Sequence, residues 1–215
     1  MVELKNSQDI YIIVQKNNFA TSMSLPRKTK KPFLFIGLGN PGANYANTYH
    51  NAGFLFADHL SDVSGQVSNV AIIKSSTFMN ASGEFVKKAL KKHGLKPENL
   101  VLVHDDSDIE LGNYKLSFGR NSAGHKGAGS AIKSLGTKNF WRLRIGIRPK
   151  ITNYPPALLR PPASNREASR VGNAKRAGKF QIPRRAKAEE FVLKKISTAD
   201  KKTLEAVFEK IVASI

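Results

Sequence analysis

Three short, fully apolar runs constrain this chain most: Phe33-Leu34-Phe35-Ile36, Val70-Ala71-Ile72-Ile73 and Leu100-Val101-Leu102-Val103. Each is too short for a helix and has no polar face, which is the pattern of a strand buried on both sides. Helix-like segments separate them. Residues 48–60 carry Ala52, Leu55, Phe56 and His59 at helical spacing, and 81–93 place Phe85, Val86, Ala89 and Leu90 opposite Lys87, Lys88, Lys91 and Lys92. Gly94 stops that second helix. Downstream, Tyr114–Phe118 alternates as a half-buried strand, 127–135 reads as a small-residue helix ahead of Gly136, and Leu143–Ile147 is another strand. Leu204, Val207, Phe208, Ile211 and Val212 mark a last helix, with Ser197 and Asp200 at capping-box spacing. Strands alternating with helices predict a single α/β domain: a mixed twisted sheet flanked by helices in three layers.

Two segments stand outside this pattern. Residues 1–31 read as a flexible basic arm, and Met23 offers an alternative start. Its apolar run Ile10–Val14 is too short for a secretory signal and follows Glu3 and Asp9. Residues 149–187 hold six prolines and many Lys and Arg, with Glu167 the one acid. Such a segment cannot offset the entropy of ordering by apolar burial, so it is expected to be a disordered basic insert within the domain 32–215.

Charge narrows the partner. Lys and Arg number 35 against 16 acids, a net +19, which points first to nucleic acid and second to an anionic membrane surface. No apolar run approaches the ~20 residues of a membrane span. With no Cys, a thiol nucleophile and a Cys-based zinc site are excluded. A protein of the cytoplasm or mitochondrion fits, and a monomer is expected.

The loops carry residues that no core needs. Gly37-x-Gly39-x-x-Gly42 matches a dinucleotide-binding pattern. However, helix-like sequence resumes only near Thr48, and the second strand ends at Lys74 instead of an acid that could hold a ribose. A hydrolytic reading fits better. Asn40 follows the first strand, His50 opens the next helix, and Asp105 lies just past the end of a buried strand. A His whose second nitrogen meets a carboxylate is a competent general base. No Ser sits at a nucleophile elbow, so water would attack. The bland alternatives are a helix-start His50, an N-capping Asn80, a core Phe78 and structural roles for His104 and His125.

Taken together, five ordered motifs resemble bacterial-type peptidyl-tRNA hydrolases. They are Gly37-Leu38-Gly39-Asn40-Pro41-Gly42 with Tyr45, Thr48-x-His50-Asn51-x-Gly53, Thr77-Phe78-Met79-Asn80-x-Ser82-Gly83, His104-Asp105-x-x-Asp108, and Gly124-His125-x-Gly127. Phe140 to Ile147 and Glu190 to Leu193 continue the likeness, which spans about residues 33–148 and 188–213. The resemblance implies hydrolysis of the ester joining a peptide to the terminal ribose of tRNA, with no metal or cofactor. It makes His50 the catalytic base, Asp105 its support and Asn40 the discriminating amide. Tyr45, Phe78 and Asn80 become contacts to the peptide and the 3′ end. Apart from the resemblance, Lys126 can hold a phosphate or an oxyanion, and Arg144 is a cation for the RNA backbone, so both are expected to bind substrate or tRNA. Three departures matter. Lys126 stands where the family has Asn, Tyr49 replaces an Arg, and the stretch before Thr77 is short enough to have lost a strand. The alternative is a non-catalytic RNA-binding relative of the same fold, such as a splicing factor.

Overall fold

The structure, a computed structural model, describes residues 11–13, 32–63, 70–149 and 191–215. The expected disordered insert, Met23 and most of the N-terminal arm lie outside the described residues.

A six-stranded mixed sheet forms the middle layer. Its strands are β1 (Tyr11–Ile13), β2 (Phe33–Gly37), β3 (Val70–Lys74), β4 (Leu100–Glu110), β5 (Tyr114–Phe118) and β6 (Trp141–Arg148), in the spatial order β1-β3-β2-β4-β6-β5. The four central strands are parallel, and β1 and β5 close the two edges antiparallel. The apolar runs are central because parallel strands are covered on both faces.

Helix α1 (Ala52–Asp62) packs with α4 (Thr198–Val212) on one face, where Phe56, Leu60, Phe208 and Ile211 meet Phe35, Val101 and Ile145. Helices α2 (Ser82–Lys92) and α3 (Lys126–Leu135) cover the other face, with Val86, Leu90 and Ala131 over Ile36, Leu100 and Leu102. Ser197 caps α4 by accepting the N–H of Asp200 at 3.1 Å, as the capping-box spacing predicts. Among the described residues no helix is long and apolar enough to cross a membrane.

Two expectations change. The arm is not unstructured throughout, since Tyr11↔Ile72 and Ile13↔Val70 pair it with β3. The edge of the sheet beside β3 is thus taken by a segment from the N-terminal arm. Nor does β4 end at Val103. It runs on to Glu110, with Asp105 opposite Ile145 and a register shift between Asp106 and Glu110. Asp105 therefore sits inside a paired strand, held more rigidly than a loop residue would be.

Candidate active site

The carboxyl ends of β2, β3 and β4 converge on one end of the sheet, where α/β folds bind ligands. After β2 the chain crosses Asn40 and Tyr45 and reaches a 3-10 turn, Tyr49–Asn51, that leads into α1. Gly53 lets this turn sit close. A Cβ there would lie 2.5 Å from the carbonyl oxygens of both Leu38 and Val103. After β3, a second 3-10 turn over Met79–Ala81 presents Phe78 and Asn80. Ala123 (φ 51°) and Gly124 (φ 83°) turn the chain through the left-handed region just ahead of α3.

A cavity of about 670 Å³ opens between these segments, lined among others by Asn40, His50, Phe78, Asn80, Asp105, His125, Lys126 and Leu193. Thus six of the eight residues singled out from sequence share one cavity: Asn40, His50, Asp105, Phe78, Asn80 and Lys126. Tyr45 joins through an edge-to-face contact with Phe78 at 5.9 Å between ring centroids. Arg144 lies elsewhere, donating from Nε to Asp106 Oδ2 at 2.6 Å and lining a neighbouring cleft.

At the centre, Asp105 Oδ1 accepts two imidazole N–H groups, from His50 Nδ1 at 2.8 Å and His125 Nε2 at 3.0 Å. Asp105 is only 2% exposed. Burial alone would push its carboxyl pKa up, but His125 and then His50 outweigh it and hold the group well below the usual carboxylate range. The tautomers follow from the partners. His125 Nδ1 accepts the Ala128 N–H at 3.1 Å, capping α3, so its proton is on Nε2. His50 gives its Nδ1 proton to Asp105, which leaves Nε2 free to take another. His104, fully buried, donates from Nδ1 to the carbonyl of Asp105 at 2.7 Å and packs against the His125 ring, tilted by 44° with centroids 4.2 Å apart. Burial, reinforced by His125, pushes its pKa well below the ordinary value. The His50, Asp105 and His125 ligand atoms lie within 4.8 Å of one another, a spacing that could hold a metal ion. Binding would require displacing both bridging protons.

The supporting contacts were not legible in sequence. Asn51 clamps Asn40 from both sides, accepting its backbone N–H at 2.8 Å and donating to its carbonyl at 3.0 Å. Asn40 Oδ1 accepts the Met79 N–H at 2.9 Å, so its Nδ2 is left to donate. His50 N–H bonds to Val192 O at 2.8 Å, and Lys195 Nζ reaches the carbonyls of Asn44 and Ala46 at 3.0 and 2.6 Å. Tyr49 donates its hydroxyl to Asp200 Oδ2. Burial, followed by this bond, pushes the Tyr49 hydroxyl pKa up to about 12. The residues 191–200 thereby brace the His50 turn against α4. Asn80 caps nothing: the N-cap of α2 is Ala81 and has no side-chain bond. Phe78 is no core residue at 52% exposed.

On the α3 side of β5 and β6 lies a second cleft of about 510 Å³, lined by Lys115, Arg120, Arg142 and Arg144 and meeting the first cavity at Ala123. Arg142 is 1% exposed and donates from Nη2 to Asn121 O at 2.5 Å, while its Nε and Nη1 have no partner among the described residues.

A peptidyl-tRNA hydrolase family model matches residues 34–178. The peptidyl-tRNA hydrolase of Thermodesulfovibrio yellowstonii is 43% identical over 132 residues, covering 53% of this chain and 71% of that one. That of Mycobacterium tuberculosis is 38% identical over 148 residues, covering 60% and 78%. Among solved structures, peptidyl-tRNA hydrolase from Acinetobacter baumannii superposes with a TM-score of 0.62 at 26% identity, covering 85% of each chain.

Proposed function

This chain belongs to the peptidyl-tRNA hydrolase family, and we propose that the cavity around His50 is where it hydrolyses the ester between peptide and tRNA. The observation that carries this reading is the shared carboxylate. Asp105 fixes the His50 proton on Nδ1 and leaves Nε2 as a base inside the cavity. Water adds to the ester carbonyl carbon as its proton passes to His50 Nε2. The tetrahedral intermediate then collapses, the bond to the ribose oxygen breaks, and His50 returns the proton to that oxygen. Asp105 stabilises the transient imidazolium.

Asn40 donates from Nδ2 to a peptide carbonyl, and Asn80, exposed at the rim, supplies both donor and acceptor. Tyr45, Phe78 and Leu193 give the apolar surface against which the last base and the peptide side chain rest. Lys115 and Arg120, both exposed in the second cleft, present cations to the RNA backbone, with the half-buried Arg144 beside them. The basic insert 149–187 is a further, weaker phosphate contact. No finding supports the binding-only alternative. The proposal includes a monomer acting in the cytoplasm or mitochondrion, tested by sedimentation and by cell fractionation. Release of N-acetylated amino acid from N-acetyl-aminoacyl-tRNA by purified protein tests the activity. An inactive protein that binds tRNA would favour the alternative.

A further inference from the structure

We propose that Lys126 is the electrostatic catalyst of the ester hydrolysis, its ammonium group stabilising the oxyanion that forms when water adds to the carbonyl. This rests on the hydrolase reading above and assigns a group to the one charge that reading leaves unanswered.

Lys126 is the first residue of α3 and lines the catalytic cavity directly after His125. It is the one Lys or Arg among the described lining residues. Both carboxylates there are already engaged. Asp105 serves two imidazoles, while Asp106 takes Arg144 Nε at 2.6 Å on one oxygen and the Asp108 N–H at 2.8 Å on the other. Among the described residues Lys126 makes no ion pair. A cation on the first turn of a helix is also opposed by the helix dipole, so the fold gains nothing from a lysine there.

Lys126 is exposed, so water solvates it in the resting protein and its ammonium group is free to meet an anion that the substrate brings. Two anions come with the substrate: backbone phosphate, and the oxyanion created during the reaction. The phosphates have their own cations in the neighbouring cleft, where Lys115 and Arg120 are exposed, and that cleft touches the catalytic cavity only at Ala123. The oxyanion arises beside His50, in the cavity that Lys126 lines. Asn40 Nδ2 is a neutral donor and adds no charge there. A charged donor aimed where charge develops is worth most because it acts in the transition state and not on the bound ester.

The test compares Lys126→Met, Lys126→Arg and, as a control on the exposed face of the same helix, Lys133→Met. Single-turnover rates are measured at saturating protein on N-acetyl-aminoacyl-tRNA and on 3′-O-(N-acetyl-aminoacyl)adenosine, which has no phosphate. Removing one oxyanion donor costs on the order of 10²–10³ in rate, and the exposure of Lys126 to water lowers this to roughly 10- to 100-fold for Lys126→Met. The expected result is that loss on both substrates, recovery with Lys126→Arg, unchanged tRNA affinity and melting temperature, and a normal rate for Lys133→Met. A Lys126→Met protein with a normal rate overturns the proposal. So does a defect confined to tRNA affinity or absent on the nucleoside ester, which would make Lys126 a phosphate contact. A wild-type protein inactive on N-acetyl-aminoacyl-tRNA would instead remove the hydrolase reading itself.

Discussion

Replacing Asp105 with Asn tests the centre of the site while preserving its shape. Asn keeps an oxygen that can accept from His50 and His125, so the volume and much of the local hydrogen bonding survive. What disappears is the charge facing His50 Nδ1 at 2.8 Å. As the base, His50 gains positive charge when it takes the proton from water, so the loss falls on the transition state. Two unit charges about 4 Å apart attract by about 4 kcal/mol at an effective dielectric of ~20. With ~1.4 kcal/mol per tenfold in rate, the expected slowing is about 10³-fold. If the amide NH₂ turns toward His50, the other tautomer is favoured and the base is blocked, which adds to the loss. The assay is single-turnover release from N-acetyl-aminoacyl-tRNA, with tRNA affinity measured in parallel. Slowing of less than about tenfold, or a defect confined to affinity, would refute the argument. The same substitution has a stability signature. The Asp105 carboxyl is depressed in the folded protein, so its contribution is present above the unfolded value of about 3.9 and is lost as pH falls from there toward the folded value. Asp105→Asn should therefore lower stability at neutral pH and flatten its acid dependence.

His50→Ala should cost roughly 10²–10⁴-fold in rate with the fold intact, as judged by thermal melting, and near-normal turnover would exclude His50 as the base. Asn51→Ala removes both bonds that clamp Asn40. It should lower stability by about 2 kcal/mol and reduce discrimination between N-blocked and free aminoacyl-tRNA, whereas unchanged discrimination would detach Asn40 from peptide recognition. His104 is held neutral by burial. The unfolded chain therefore takes up a proton first as pH falls below ~6.5, and folding stability, complete above that pH, should decline by up to ~1.4 kcal/mol per pH unit. Denaturant titrations between about pH 5 and 7.5 check this, and His104→Leu should shallow the slope. Lys115→Ala with Arg144→Ala should reduce the salt slope of tRNA binding by roughly 0.9 per duplex phosphate lost, and an unchanged slope would take the RNA backbone out of that cleft.

The elements were written locally. Periods of 3.6 residues and fully apolar runs report burial of each segment's own face, so the helices, the central strands and the Ser197 cap could be read along the chain. The site motifs were legible for a related reason: Asn40, His50, Asn80 and Asp105 are residue types that no core requires, the first three in turns that follow strands and Asp105 just after an apolar run. Partnerships between distant residues are written nowhere locally. His125, read from sequence as structural, does cap α3. Only the fold brings its other nitrogen to Asp105, the residue that also holds His50. Arg144 looked like part of the same site, yet it alternates with Leu143 and Ile145 along β6 and so faces the neighbouring cleft. The strand β1 was hidden because three residues in a basic arm cannot repay their own ordering entropy. They need the unpaired backbone edge of β3, which exists only once the sheet is assembled. Sequence thus determined which segments bury and which residues are spare for chemistry. Tertiary structure decided which spare residues meet, because a hydrogen bond at 2.8 Å depends on the relative placement of strands and helices that no local pattern encodes.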